Sequence, residues 1–234
     1  MSTQVIELRR LLEQRWPDAQ PLRHATAAGV STGVPALDAI LPGGGLPRGR
    51  LSVWATEAAV GATAVLRSAC EVVRAAGERA VWVDGARVVA GDRWWQDGGA
   101  LLVRPAGALD ALVCAEELVR SGGFGLVVLT GVGRALVPEA VRLSRAAREG
   151  GSALVAVWEA PLAALRLASR VLADGVRWTS GPLGEPAEPA AVRLRVQATS
   201  LGLDSRAEFM IPVVQHALRM SMEPGLVDRR GAGI

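Results

Sequence analysis

Short apolar runs alternate with amphipathic stretches along most of this chain, and the alternation predicts its elements. Residues 4–15 (QVIELRRLLEQR) place Val5, Leu8, Leu11 and Leu12 at helical spacing, with charges on the opposite side, and Trp16-Pro17 stops that helix. A Pro- and Ala-containing linker runs on to about Ser31. Beyond it, Leu51–Trp54, Ala80–Val83, Leu101–Val103, Leu126–Leu129 and Ala153–Val157 read as strands. Ala64–Ala76, Ala108–Ser121 and Pro138–Arg148 read as helices between them, the last opened by a proline near its first position. Leu162–Ser169 reads as a further helix and Val176–Trp178 as extended chain.

Strands that alternate with helices imply parallel βαβ units with both sheet faces covered. The pattern changes after the Pro-, Gly- and Glu-rich break Gly181–Pro189. Ala191–Thr199 and Glu208–Ile211 alternate polar and apolar residues, with Val192, Leu194 and Val196 on one face, which suits an antiparallel edge extension. The predicted fold is therefore α/β: a mostly parallel central sheet flanked by helices, antiparallel C-terminal strands and an N-terminal amphipathic helix. Three regions follow: helix and linker over 1–30, core over 31–212 and a C-terminal interaction tail over 213–234.

Composition narrows the class. Half of the 234 residues are apolar, enough for one sizeable core. No apolar run reaches the roughly 18 residues that a bilayer span needs, and the N-terminus lacks a signal-peptide core. A soluble cytoplasmic protein without a membrane partner is expected. Cys70 and Cys114 lie far apart in helical patterns and read as buried free thiols; His24 and His216 stand alone, so no metal spacing exists. All 26 basic residues are Arg, against 23 acidic ones, giving a formal charge of +3 and a pI near 9.9. That is a mild pull toward anionic partners. Lys, Asn and Tyr are all absent. A GC-rich codon bias accounts for Arg in place of Lys on a surface; it accounts less well for Ala inside a phosphate loop.

Such a loop is where the sequence is most specific. Residues 31–54 read STGVPALDAILPGGGLPRGRLSVW. The positions Thr32, Gly33, Leu37, Asp38, Gly44, Gly45, Leu46, Pro47, Gly49 and Arg50 resemble the start of the RecA recombinase core, as do the helix and strand of Ala108–Leu129. The resemblance covers roughly residues 30–212 and implies a RecA-like core with a nucleotide site. The residues depart from that site. In the G-x-x-x-x-G-K-[ST] pattern anchored on Gly61 and Thr63, Thr56 stands at the first Gly and Ala62 at the Lys that reaches the β/γ-phosphates. Thr56 carries a Cβ where converging backbone N–H groups favour glycine. Thr130 stands where the family has its Mg²⁺-organising Asp, Ala86 at the catalytic Glu beyond Asp84, and Glu159 at the γ-phosphate-sensing Gln. A carboxylate there repels a triphosphate. The expectation is a pseudo-ATPase that uses no cofactor, although the N-terminus of the following helix keeps a weak attraction for anions. The two DNA-binding loops of recombinases are also short here, Gly131–Pro138 and the segment after Glu159.

A RecA-like core with a lost phosphate loop, short loops and a basic tail resembles the ImuA family, related to SulA-like division inhibitors. The resemblance implies SOS-induced translesion synthesis through contacts with ImuB, an inactive Y-family polymerase homologue. RecA is a further partner, an error-prone replicative-type polymerase an indirect one, and DNA a weak one. It also implies association with the nucleoid during DNA damage. Candidate contact residues are Leu8, Leu11 and Leu12 of the N-terminal helix, which could equally dock on its own core. In the tail they are Leu218, Arg219, Met220, Met222, Arg229 and Arg230, against the alternative of a solvated end. Trp94 and Trp95 lie in a polar segment and are either an interface anchor, a base-stacking surface or a local core plug. Trp54, Trp82, Trp158 and Trp178 sit at strand ends and read as core. The competing functional readings are an active nucleotide-dependent ATPase or recombinase, a DNA-binding module using its Arg surface, and a division inhibitor.

Overall fold

The computed structural model describes residues 28–89, 99–133, 137–159, 162–181 and 183–213. The helix expected over 4–15, Trp94, Trp95 and the tail residues from Leu218 to Arg230 lie outside the described residues.

An eight-stranded sheet runs through the described chain: β1 (Arg50–Ala59), β2 (Ala80–Asp84), β3 (Leu101–Val103), β4 (Leu126–Thr130), β5 (Ala153–Val157), β6 (Leu165–Ser180), β7 (Pro186–Ser200) and β8 (Leu203–Pro212). Its order is β3-β2-β4-β5-β1-β6-β7-β8. Pairing is parallel from β3 through β6 and antiparallel from β6 to β8. Four helices accompany it: α1 (Pro35–Asp38), α2 (Ala62–Ala75), α3 (Ala108–Arg120) and α4 (Val137–Gly150).

The apolar runs decide the layering. β2 and β4 are buried at every position and β5 at all but its last, as strands covered on both faces must be. Val65, Leu66, Ala69, Cys70 and Val73 of α2 pack on one face with Trp54, Trp82 and Val155. Ala111, Ala115 and Val119 of α3, with Leu143 and Ala147 of α4, cover the other face with Val53, Val83, Leu129 and Trp158. α2, α3 and α4 each present an apolar stripe at helical spacing to their side of the sheet.

Three readings of the sequence need correction. Leu162–Ser169 is not helical: from Leu165 it is the start of β6, pairing with β1 at Ser52↔Leu165 and Trp54↔Leu167. Leu and Ala favour helix locally, but Leu165, Leu167 and Ser169 alternate inward on an open sheet edge, and pairing overrides propensity. β1 runs on past Trp54 to Ala59. Trp178 is 52% exposed on the β6–β7 hairpin rather than in the core, whereas Trp54, Trp82 and Trp158 are fully buried.

Candidate functional site

The motif that opens the core is held by one carboxylate. Asp38, at the end of α1, accepts from the Thr32 backbone N–H (2.8 Å), the Thr32 hydroxyl (2.7 Å) and the Ser31 hydroxyl (2.6 Å). Val30 and Leu46 form a two-way backbone bridge. A Cβ on Gly45 would overlap the Val30 carbonyl, so the glycine lets the two segments cross at backbone contact.

The segment that aligns with a phosphate loop, Thr56–Thr63, spans the end of β1 and the start of α2, at the carboxyl end of the sheet where doubly wound folds bind ligands. Between Trp54 and Ala59, β1 advances five residues while β6, from Leu167 to Ser169, advances two. Residues 55–58 therefore bulge within the β1–β6 pairing. The bulge is pinned from β6. Ser169 Oγ accepts the Trp54 indole N–H at 2.9 Å and donates toward the Val60 carbonyl at 2.7 Å, with the Ala58 carbonyl at 3.2 Å. Gly61 then takes a left-handed conformation (φ 80°) as the N-cap of α2. A Cβ there would overlap Leu194 of β7 and crowd Ile211 of β8. Ala62 is buried and Thr63 exposed on the first turn of α2. The sequence-predicted Gly61, Ala62 and Thr63 are thus together at one helix N-terminus, and Thr56 lies in the bulge beside them.

The other predicted positions sit at neighbouring strand ends. Thr130, closing β4, is 8% exposed and its hydroxyl accepts the Trp82 indole N–H at 3.0 Å. Ala86, just past β2, is exposed, and its backbone lies against Gly131, where a Cβ would collide with it. Asp84 is fully buried and accepts from the backbone N–H groups of Val88 (3.2 Å) and Val89 (2.9 Å), with Arg104 Nε 3.7 Å away. It fastens the turn after β2. Glu159, beyond β5, lies 3.4 Å from Arg166 Nη1 of β6.

Sequence reasoning placed these positions but missed the groups that hold them: Ser169, Trp54 and Trp82 as hydrogen-bond partners, and Leu194 as the wall against Gly61. A pocket of about 900 Å³ opens beside this junction, between Gly33–Ala36, Gly61 with α2 as far as Glu71, and the end of β8 from Phe209 on to Val213.

Elsewhere the environment shifts several titratable groups, Glu116 and Cys70 among them. Burial of Glu116 on α3 favours its neutral form, but hydrogen bonds from Arg120 and Arg142 outweigh this and hold the carboxyl below its usual range. Arg120 also binds Glu117 at 2.8 Å and Glu149 at 3.4 Å, so the cluster ties α3 to α4. Burial pushes the Cys70 thiol up to about 12, with Glu71 adding to the shift. Both cysteines are free, Cys70 buried and Cys114 half-buried. Among the described residues no cluster of His, Cys, Asp and Glu could hold a metal ion, and no helix is long and apolar enough to cross a membrane.

A parallel sheet covered on both faces, with a left-handed glycine between its first strand and the following helix, defines a doubly wound α/β core. The chain belongs to the RecA family: the RecA N-terminal domain matches residues 21–148, more than half of it. It is 37% identical over 116 residues to Protein RecA of Frankia casuarinae and 39% identical over 116 residues to that of Nocardia farcinica, each match covering 47% of this chain and 33% of the relative. Protein RecA of Mycobacterium tuberculosis H37Rv is 38% identical over 116 residues, 47% of this chain and 14% of the relative. The match thus spans a third or less of the length of these relatives.

Proposed function

We propose that this chain is a RecA-like accessory protein without nucleotide chemistry, acting by protein–protein contacts in SOS-induced translesion synthesis. One observation carries the non-catalytic part: Ser169 ties down the phosphate-loop segment by its carbonyls. A triphosphate with Mg²⁺ needs convergent N–H donors, a cation at the helix start and an available carboxylate at the strand ends. The residues present do not fit that demand. Ala62 is buried and uncharged, the Thr130 hydroxyl is engaged by Trp82, and Asp84 is engaged by the turn it caps. Glu159, beyond β5, is a carboxylate already faced by Arg166 of β6 at 3.4 Å. The free N–H groups of the first turn of α2 keep a weak anion preference and nothing stronger.

The pathway part rests on the resemblance to the ImuA family. It is supported by the short connections after β4, which ends at Thr130 with α4 starting at Val137, and after β5, which ends at Val157 with β6 starting at Leu165. ImuB is the main partner. RecA is a second, an error-prone replicative-type polymerase is reached through ImuB, and DNA contact is weak. The place of work is the nucleoid during DNA damage.

Isothermal titration with ATP and Mg²⁺, together with a turnover assay, tests the first part. No binding and no hydrolysis are expected, and Ala62→Lys alone restores neither, because the bulge and Thr130 remain. Micromolar binding with steady hydrolysis would sink the reading. Pull-down with ImuB and damage-induced mutation frequency in a deletion strain test the second part independently.

A further inference from the structure

A second cavity, of about 590 Å³, lies away from the nucleotide-type site, at the amino end of β1 beside the C-terminal half of α4. Three guanidinium side chains line it: Arg50 from β1, and Arg145 and Arg148 from α4. Its apolar wall includes Leu51, Val141 and Leu162. No acidic residue lines it. Arg145 pairs with Glu149 at 2.8 Å outside the lining, whereas Arg50 and Arg148 are exposed and form no ion pair among the described residues. Val141 and Leu162 are 48% and 50% exposed, large apolar groups of the same lining left in water.

Helix electrostatics accounts for part of this, since cations in a last turn favour the helix dipole. It does not account for Arg50, which comes from a different element, or for the two exposed apolar side chains.

We propose that this cleft is a docking site for an acidic–apolar peptide segment of a partner protein. Its Asp or Glu carboxylates would pair with Arg50 and Arg148, and a Leu-like side chain would sit between Val141 and Leu162. Guanidinium forks match carboxylates bidentately, and the apolar wall gives the anchor that a purely electrostatic patch lacks. The lining favours a peptide over a nucleic acid because no aromatic ring is present to stack a base. The site does not depend on the fate of the nucleotide pocket.

Panning a phage-displayed random-peptide library on the full chain tests this. Peptides combining Asp or Glu with Leu, Ile, Met or Phe are expected to enrich. A labelled peptide from that pool is expected to bind the Arg50→Glu/Arg148→Glu variant at least about ten-fold more weakly, to weaken likewise on Leu162→Asp, and to lose affinity as salt rises. If the charge-reversed chain does not fold, Arg50→Gln/Arg148→Gln carries the same comparison. No enrichment, enrichment without acidic residues, or binding unchanged in the variants overturns the proposal. So does an oligo(dT) probe that binds the full chain and loses affinity on the same variants, which makes the cleft a nucleic-acid site.

Discussion

Trp54 and Ser169, 115 residues apart in sequence, are joined by a buried hydrogen bond of 2.9 Å from the indole N–H to the hydroxyl. The same hydroxyl reaches the Val60 carbonyl at 2.7 Å, so one side chain of β6 fixes both the last buried residue of the β1 core and the segment that follows it. Ser169→Ala removes both bonds and leaves the indole N–H without its acceptor. A cost of about 1–3 kcal/mol is expected, the usual penalty for an orphaned buried donor. Urea unfolding measures it. Trp54→Phe combined with Ser169→Ala should cost less than the two changes summed, because the second change then orphans no indole.

Gly61 serves packing as well as backbone geometry. Its left-handed φ and the proximity of Leu194 both oppose a side chain. Gly61→Ala is expected to cost about 1–4 kcal/mol, combining the left-handed penalty with overpacking. Adding Leu194→Ala should relieve the overlap but not the φ strain. The double variant should therefore be more stable than additivity predicts. Thermal melts of the four proteins decide this, and strict additivity would mean that Leu194 does not press on position 61.

Much of the core was legible because its signals are local. The short apolar runs Ala80–Val83, Leu126–Leu129 and Ala153–Val157, set between helical stretches, read as covered strands, and the alternation of Val192, Leu194 and Val196 marked an antiparallel edge. Gly61, Ala62 and Thr63 could be placed together at the start of one helix because that motif has fixed spacing. The rest was written in pairs distant in sequence. Nothing near Ser169 says that it meets Trp54, and nothing near Gly61 points to Leu194. The stretch 162–169 reads as helix from its Leu and Ala content; only the open edge of β1 makes it a strand. Trp178 reads as core by residue type, but it lies on the β6–β7 hairpin beyond the last described β7–β8 pair, Ala191↔Pro212, and its ring is half exposed.

The two thiols should separate cleanly by reactivity. Burial holds Cys70 at about 12, so almost no thiolate forms at neutral pH, and the group is also screened from reagents. Cys114 is half-buried on α3. Iodoacetamide at pH 8 is expected to label Cys114 in the native protein and Cys70 only after denaturant is added, as read by peptide mass spectrometry. Equal labelling of both under native conditions would contradict the packing of α2 on the sheet.

The ion cluster between α3 and α4 should contribute to the loss of stability in acid. Glu116 is 8% exposed, yet Arg120 and Arg142 hold its carboxyl below the usual value of 4.5. The native state therefore binds fewer protons than the unfolded chain in the window just under 4.5, so stability rises with pH there. The contribution is fully present above about pH 4.5 and is lost as pH falls through the depressed native value. Glu116→Gln removes it while keeping the shape of the side chain. At neutral pH the variant is expected to be less stable by about 1–3 kcal/mol, since two guanidinium groups lose a charged acceptor. In acid the difference should shrink, because the parent carboxyl is then neutral too. Chemical unfolding at pH 7 and at a series of acidic pH values, on both proteins, gives the comparison. A gap that stays constant down to pH 3 would show that the Arg120–Glu116–Arg142 contact stabilises by shape and not by charge.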